Sequence, residues 1–114
     1  MKSAMAMLAM AAVTFSGAAF AADPDGAKLF SKNCMTCHGK DGKGETDIGE
    51  AMKITNLTDA KVQERLTDDG IIKQMTDGSK DKETGKDRMP SFKATLKPDE
   101  MKAVVKHVRG FKGK

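Results

Sequence analysis

The stretch Cys34-Met35-Thr36-Cys37-His38 decides how the rest of this chain is interpreted, because it places two cysteines and a histidine in the spacing C-x-x-C-H. That spacing is the covalent attachment pattern for a c-type haem. Two thiols one short turn apart can each add to one vinyl group of the same porphyrin. The imidazole that follows is then held beneath the ring, where it can bind the iron. We therefore predict that Cys34 and Cys37 form two thioether bonds and that His38 is the proximal axial ligand.

Two other chemistries use cysteines at this spacing, and the sequence argues against both. A thioredoxin-like redox pair also has the pattern C-x-x-C, but it needs a βαβ context and no histidine after the second cysteine. A zinc site would need more ligands, whereas the chain has two cysteines and one further histidine, His107. The cofactor that the sequence predicts is therefore one covalently bound haem c.

The first residues have the pattern of a secretory signal peptide. Lys2 supplies a positive start, residues 5–20 are almost wholly apolar, and Ala19-Phe20-Ala21 has small residues at the two positions that a signal peptidase reads. We predict cleavage after Ala21, with Ala22 or Asp23 as rivals. Residues 1–21 are then a cleaved signal peptide, and residues 22–114 form a single domain.

The alternative for the apolar run is a transmembrane anchor. The run is short for a span and is followed at once by Asp23-Pro24-Asp25, so we predict no stable membrane anchor. No Arg-Arg pair precedes the run, which favours the general export route over twin-arginine export. The predicted location is the periplasm, with the haem added after the chain has crossed.

Charge and core composition exclude one class of partner and indicate how the domain is stabilised. Without Lys2 the chain has 19 basic and 16 acidic side chains, and two haem propionates would lower this balance further. No arginine-rich stripe with interleaved aromatics is present, so we predict no nucleic-acid binding.

The aromatic residues of the mature chain are Phe30, Phe92 and Phe111. Because so thin a core leaves a small domain marginal, the haem itself is expected to complete it.

Helical spacing dominates the chain, and no alternating strand pattern is present. Asp23 is the expected N-cap of a first helix, with Pro24 in its first turn. Thr58 and Thr67 are expected to cap two short helices, the second ending at Gly78. We interpret residues 38–50 as a glycine-rich loop and residues 79–88 as a charged loop.

The last helix opens at Pro98-Asp99-Glu100 and has an apolar stripe on one face. Its other face, with Arg109, is expected to lie toward solvent. The stripe consists of Met101, Val104, Val105 and Val108, and the predicted solvent-facing residues are Lys102, Lys106 and Arg109.

A haem iron bound by His38 has one more axial position, and a methionine thioether there favours ferrous iron. Met75 and Met101 lie on apolar helix faces, where core packing is the expected role. Met89 precedes Pro90, which biases it toward an extended backbone from which its side chain can reach inward. We predict Met89 as the second axial ligand. Met35 has the wrong geometry within the motif, and the alternatives that stay open are Met52, His107 and an open site.

The mature chain resembles the class I c-type cytochromes, close to the small bacterial and cytochrome c6-like members. The resemblance runs from about Pro24 to Phe111 and rests on the attachment motif, Gly26 and Phe30 in the first helix, the run Met89-Pro90-Ser91-Phe92 and the final amphipathic helix. It implies an all-α, cytochrome c-like fold of four to five short helices around one covalent haem. The first and last helices would cross closely at Gly26 and Phe30, and residues 22–114 would form one cytochrome c domain.

Two positions depart from the family pattern. The family usually has an aromatic on the last helix at the crossing, where this chain has His107. Many members also have a proline soon after the motif, whose carbonyl accepts from the proximal imidazole, and this chain has none between Pro24 and Pro90. The hydrogen-bond partner of His38 is therefore unidentified, although an acceptor is expected.

The resemblance implies a one-electron carrier between redox partners, not an enzyme. Such encounters use small, weakly held interfaces, and we expect a monomer. Lysines near an exposed haem edge could orient a partner with acidic docking patches; the candidates are Lys40, Lys43, Lys86 and Lys93. Two rival functions are a haem protein whose open sixth site binds a gas or peroxide, and a haem subunit of a larger dehydrogenase or reductase.

Overall fold

The structure is a computed structural model that describes residues 23–114, so the predicted signal peptide lies outside the described residues. Within this part helices dominate, and the predicted all-α fold is confirmed apart from one short two-stranded hairpin. The elements are α1 (Gly26–Asn33), α2 (Met35–His38), α3 (Asp47–Ala51), α4 (Ala60–Arg65), α5 (Asp68–Asp77), β1 (Ser79–Lys80), β2 (Asp87–Met89) and α6 (Pro98–Arg109).

Residues 23–114 form six helices, where four to five were expected. The described residues contain no helix that combines the length and apolarity needed to cross a bilayer.

The crossing of α1 and α6 organises the fold. A Cβ at Gly26 would overlap the carbonyl oxygen of Ala103 and lie 2.7 Å from its carbonyl carbon, so only glycine allows the two helices to approach this closely. The Phe30 ring lies beside the crossing, 5.2 Å between centroids from His107 and 5.2 Å from Phe111. The predicted crossing is present, with His107 packed where the family has an aromatic.

The core fills the space between α1, α5 and α6. Phe30 and Met75 are each 2% exposed, and the predicted stripe on the last helix is buried over its whole length. The core residues are Phe30, Cys34, Met75, Leu96, Met101, Val104, Val105, Val108 and Phe111. Met75 and Met101 therefore have the packing role that was expected of them.

We expect Gly26→Ala to lower the free energy of unfolding by about 3 kcal/mol, because an added methyl group against backbone atoms forces the two helices apart. Chemical denaturation of the haem-loaded protein measures this. Lys28→Ala, an exposed change on the same helix, is the matched control and should alter stability little. Equal denaturation midpoints for the two variants would show that α1 and α6 do not approach closely at Gly26.

The capping predictions are partly right. Thr67 caps α5, with its hydroxyl accepting from the amide of Gly70 at 2.9 Å, and Gly78 ends that helix as predicted. At the first helix the prediction was wrong: Asp25, not Asp23, is the N-cap, and its carboxylate accepts from the amides of Ala27 and Lys28. Pro24 therefore precedes the helix.

The start of α4 was also misplaced, by one residue. Asp59 caps this helix, while Thr58 is buried and donates to the Asn56 carboxamide oxygen at 2.6 Å. The Asx turn at Asn56 thus uses the threonine that we expected at the cap.

Two segments predicted as loops contain short elements. Residues 38–50 include all but the last residue of α3, whose N-cap is Thr46. Residues 79–88 belong largely to an antiparallel β-hairpin with an irregular register between Ser79 and Lys80. At its tip the Asp81 carboxylate accepts from the amides of Thr84 and Glu83, and these hydrogen bonds lower the pKa of Asp81.

Arg109 does not point simply to solvent, as we had expected. Its guanidinium donates to the carbonyl oxygens of Gln63 and Leu66 at 2.7 and 2.6 Å and contacts the Asp68 carboxylate at 2.8 Å. Gln63 is 4% exposed and donates in turn to the carbonyl oxygen of Val108 at 2.9 Å. These hydrogen bonds tie the junction of α4 and α5 to the end of α6 and so fix one wall of the cavity described next.

Candidate haem-binding cavity

A cavity of about 490 Å³ lies among α1, α2, α5, α6 and the segment around β2. Its volume is within the range of cofactor sites. Three predicted site residues, Cys34, Cys37 and His38, line one part of it, and the fourth, Met89, lines another. The apolar lining includes Phe30, Ile54, Leu57, Leu66, Ile71, Met75, Phe92, Val104 and Val108. The structure thus brings all four predicted site residues to one space.

The attachment motif is shaped by a break between two helices. Cys34 has φ −122° and ends α1, and α2 then makes one turn, with the His38 amide donating to the Cys34 carbonyl oxygen at 2.9 Å. This turn places both cysteines and His38 on the cavity side. Met35 is 38% exposed and lines a separate shallow cleft on the outer side, which agrees with its exclusion as a ligand.

The glycine-rich loop holds the motif from behind. The Gly44 amide donates to the carbonyl oxygen of His38 at 2.7 Å, and the Thr46 hydroxyl donates to that of Cys37 at 2.9 Å. A Cβ at Gly49 would lie 2.5 Å from the Cys37 carbonyl oxygen and would overlap that of Gly44. Position 49 therefore requires glycine, because the backbone there packs directly on the backbone of the motif.

His38 is held in a form that suits metal binding. Burial lowers its pKa, because an apolar setting disfavours the imidazolium. At neutral pH the ring is therefore neutral and keeps a lone pair for a metal. Its Nδ1 is buried without a hydrogen-bond partner among the described residues, consistent with the missing proline after the motif.

The two thiols suit covalent attachment better than redox exchange. Cys34 and Cys37 are not joined in a disulfide. Burial, and secondarily the charge of Cys37, raises the pKa of Cys34 to about 11. A thiol this basic is protonated at neutral pH and lacks the low pKa of a redox-active pair. The motif supplies a neutral imidazole and two free thiols to the apolar cavity, and Met89 supplies a thioether. This set of groups fits a covalently bound haem.

Met89 is positioned by the segment that follows it. The Phe92 amide donates to the Met75 carbonyl oxygen at 2.7 Å, and the Ser91 hydroxyl donates to that of Thr76 at 2.5 Å. Both acceptors are among the last four carbonyls of α5, which have no partner inside the helix. A Cβ at Gly78 would lie 2.5 Å from the Met89 carbonyl oxygen. The end of α5 thus holds the run Met89-Pro90-Ser91-Phe92 against the cavity.

The rival ligand candidates lie elsewhere, with one exception. Met52, Met101 and His107 are not among the residues that line the cavity, and His107 packs against Phe30 and Phe111. Met75 does line it, but its side chain is fully buried in the core. Met89 is half-buried and packs against that core, so it is the methionine with the freedom to face a bound group.

Sequence reasoning missed the polar residues that line the cavity. Arg88 is adjacent to Met89 in the chain, and that adjacency is the one signal that could have found it. The others come from three helices, from strand β1 and from the segments between helices, and had no shared pattern. The polar lining residues beyond the motif are Asn33, Thr55, Arg65, Thr67, Gln74, Ser79 and Arg88.

Comparisons with known proteins show the family to which the chain belongs. A family model described as "Cytochrome C oxidase, cbb3-type, subunit III" matches residues 21–108. Cytochrome c6 from Nostoc sp. (strain PCC 7120) is 35% identical over 104 residues, which cover 90% of this chain and 84% of that protein. The solved structure of the KustC0563 c-type cytochrome superposes with a TM-score of 0.67 at 42% identity and covers 77% of this chain and 98% of that one.

A second kind of relative is a subunit of a larger assembly. The cbb3-type cytochrome c oxidase subunit FixP from Bradyrhizobium sp. (strain ORS 278) is 33% identical over 89 residues, 77% of this chain. The matched part is 27% of that protein. The chain is therefore similar to one portion of FixP, and to nearly the whole length of cytochrome c6.

Proposed function

Because this chain belongs to the small class I c-type cytochromes, with a covalently bound haem c and an electron-transfer role, we propose that it is a freely diffusing one-electron carrier of the periplasm. The observation that carries the proposal is the cavity, which brings the attachment motif and Met89 together. When bound there, a haem supplies a one-electron couple at iron.

The chain's own residues have distinct tasks in this proposal. Cys34 and Cys37 would hold the group covalently through thioether bonds, and His38 and Met89 would bind the iron. Because both side chains would stay bound in the two oxidation states, little rearrangement would oppose electron exchange. The apolar lining from α1, α5 and α6 excludes water from the cavity, which favours the less charged, reduced state.

The location and the partners are part of the same proposal. The signal peptide predicted over residues 1–21 supports export by the general route and haem attachment in the periplasm. We propose a monomer that meets its redox partners through weakly held contacts. Lys40, Lys86 and Lys93 are exposed and Lys43 is half-buried, so all four present cationic groups for a partner with acidic docking patches.

The absorption spectrum of the oxidised, purified protein tests the proposed function, together with the addition of CO to the reduced protein. A carrier with two protein ligands should show the weak long-wavelength band of a thioether bound to ferric iron and should not bind CO at neutral pH. Rapid CO binding would instead identify a gas-binding protein with an open sixth site, and the carrier proposal would fail.

A second candidate function is a haem subunit of a larger oxidase or reductase, and the match with FixP favours it. Size-exclusion chromatography of the protein isolated from its native membranes and periplasm separates the two. Elution at the mass of one chain in the periplasmic fraction supports the free carrier. Co-elution with membrane-bound subunits supports the second candidate.

Charge steering gives a testable prediction for the carrier. Raising the ionic strength from about 0.01 M to 0.15 M shortens the Debye length from about 30 to 8 Å. The bimolecular rate of electron transfer to an acidic redox protein should therefore fall about tenfold or more, as measured by stopped-flow absorbance. Lys86→Glu should weaken this dependence. Lys106→Glu, an equal charge change on the exposed face of α6, is the control, and an equal effect of both changes would contradict docking beside the cavity.

A further inference from the structure

One long-range hydrogen bond joins the segment around Met89 to the end of α3. The Arg88 guanidinium Nη2 donates to the carbonyl oxygen of Met52 at 2.6 Å. Met52 is the C-cap of α3, and carbonyls at a helix end lack partners within the helix. A cationic donor at such a carbonyl also interacts favourably with the partial negative charge there.

The two segments joined by this bond both line the cavity. Ile54 and Thr55, just after Met52, contribute to one part of the lining, and Arg88 and Met89 contribute to another. Within residues 23–114, the Arg88–Met52 bond is the hydrogen bond that connects the hairpin to residues 47–57. It therefore holds together two cavity segments that the helix packing does not otherwise join.

The anchors on the two sides of Met89 differ in strength. On its C-terminal side, Ser91 and Phe92 are tied to the end of α5. On its N-terminal side, β2 pairs only with the two-residue strand β1, the register is irregular, and the residues around the tip are exposed. So short a ribbon is a weak anchor. A side-chain bond at Arg88, directly before Met89, restrains the weaker side.

We propose that Arg88 is a positioning residue that holds Met89 on the iron and so limits the access of outside ligands to the sixth position. This inference rests on the proposed function, in which Met89 is the second axial ligand. Arg88 does not bind the iron. Its bond to Met52 lowers the freedom of the segment that would have to move for the thioether to leave, and an outside ligand can bind only in that displaced state.

Arginine suits this role better than lysine. Its planar guanidinium has several donors and can keep the bond to a single carbonyl while other nitrogens stay hydrated, which matters at an exposed position. Lysine has the same charge and a donor of similar reach but a more flexible stem. Arg88→Lys should therefore restore part of the restraint that Arg88→Ala removes.

The test is a spectroscopic titration of the oxidised, haem-loaded protein with imidazole, a neutral ligand that displaces a thioether from iron. We expect Arg88→Ala to bind imidazole about tenfold more tightly than the parent chain, since a hydrogen bond to a charged group is lost. Arg88→Lys should lie between the two. Lys86→Ala removes one positive charge from the same hairpin without touching Met52, and it should match the parent. Each variant should keep the thioether band before imidazole is added.

The outcomes separate this inference from the proposed function. If Arg88→Ala has the thioether band but binds imidazole as the parent does, or if Lys86→Ala shows the same gain, Arg88 is not a positioning residue. If the parent chain itself lacks the band, or if Met89→Leu leaves it intact, Met89 is not the ligand and the inference about Arg88 fails with that assignment, whereas the carrier proposal is decided separately by the CO test. A lower melting temperature of Arg88→Ala with unchanged imidazole affinity would show a purely structural role and would also overturn the inference.

Discussion

The Met89→His variant should have a reduction potential lower than that of the parent chain by on the order of 0.2 V, a fraction of the roughly 0.8 V that axial ligands span. A thioether is a soft, neutral ligand that favours the ferrous state, whereas an imidazole donates more strongly and favours the ferric state. Spectroelectrochemical titration measures the shift. The weak long-wavelength band of a thioether-bound ferric iron should disappear in the same sample.

Met52→His is the matched control, because Met52 is a half-buried methionine outside the cavity lining. Its potential should stay within a few hundredths of a volt of the parent value on the same scale. If Met89→His keeps the thioether band and the parent potential, another residue is the second axial ligand. If Met52→His shows the loss instead, Met52 is that residue.

Replacing both Cys34 and Cys37 with serine should abolish covalent haem attachment, because a hydroxyl does not replace the thiol in forming a thioether. Acid–acetone extraction should then remove all pigment from the protein, whereas the parent should stay coloured. The yield of folded protein should also fall sharply, since the cavity of about 490 Å³ between α1, α5 and α6 would lose the group that fills it.

Thr36→Ala provides the control within the same motif, since Thr36 is exposed and lies on the outer side. This variant should keep its colour after extraction. Single replacements at Cys34 or Cys37 leave one thioether, so they should retain pigment in lower yield. Colour that survives extraction in the double variant would show that the haem is held by other bonds.

Sequence reasoning worked best where one short pattern fixes a local structure. The C-x-x-C-H motif is specific because its chemistry requires that spacing. The stripe from Met101 to Val108 follows the helix period and is buried throughout. Gly26 and Phe30 indicated the helix crossing through the family resemblance, and the structure shows why: the added Cβ would overlap the carbonyl oxygen of Ala103.

The errors fall where tertiary contacts outweigh local pattern. α3 has five residues and includes Gly49, so no periodicity could reveal it; its one signal was Thr46, a cap that we did not use. The strands of the hairpin have two and three residues, too few to alternate visibly. Arg109 lies on a polar helix face, yet its long side chain reaches carbonyls far away in sequence, which residue spacing along one helix cannot show.

The crossing of Gly26 with Ala103 joins positions near opposite ends of the described chain. Closing so long a loop costs entropy before any packing energy is gained, and contacts that are distant in sequence slow folding. While that loop is still open, Cys34 and Cys37 remain accessible for haem attachment. Late pairing of α1 with α6 would thus leave time for haem attachment before the fold closes.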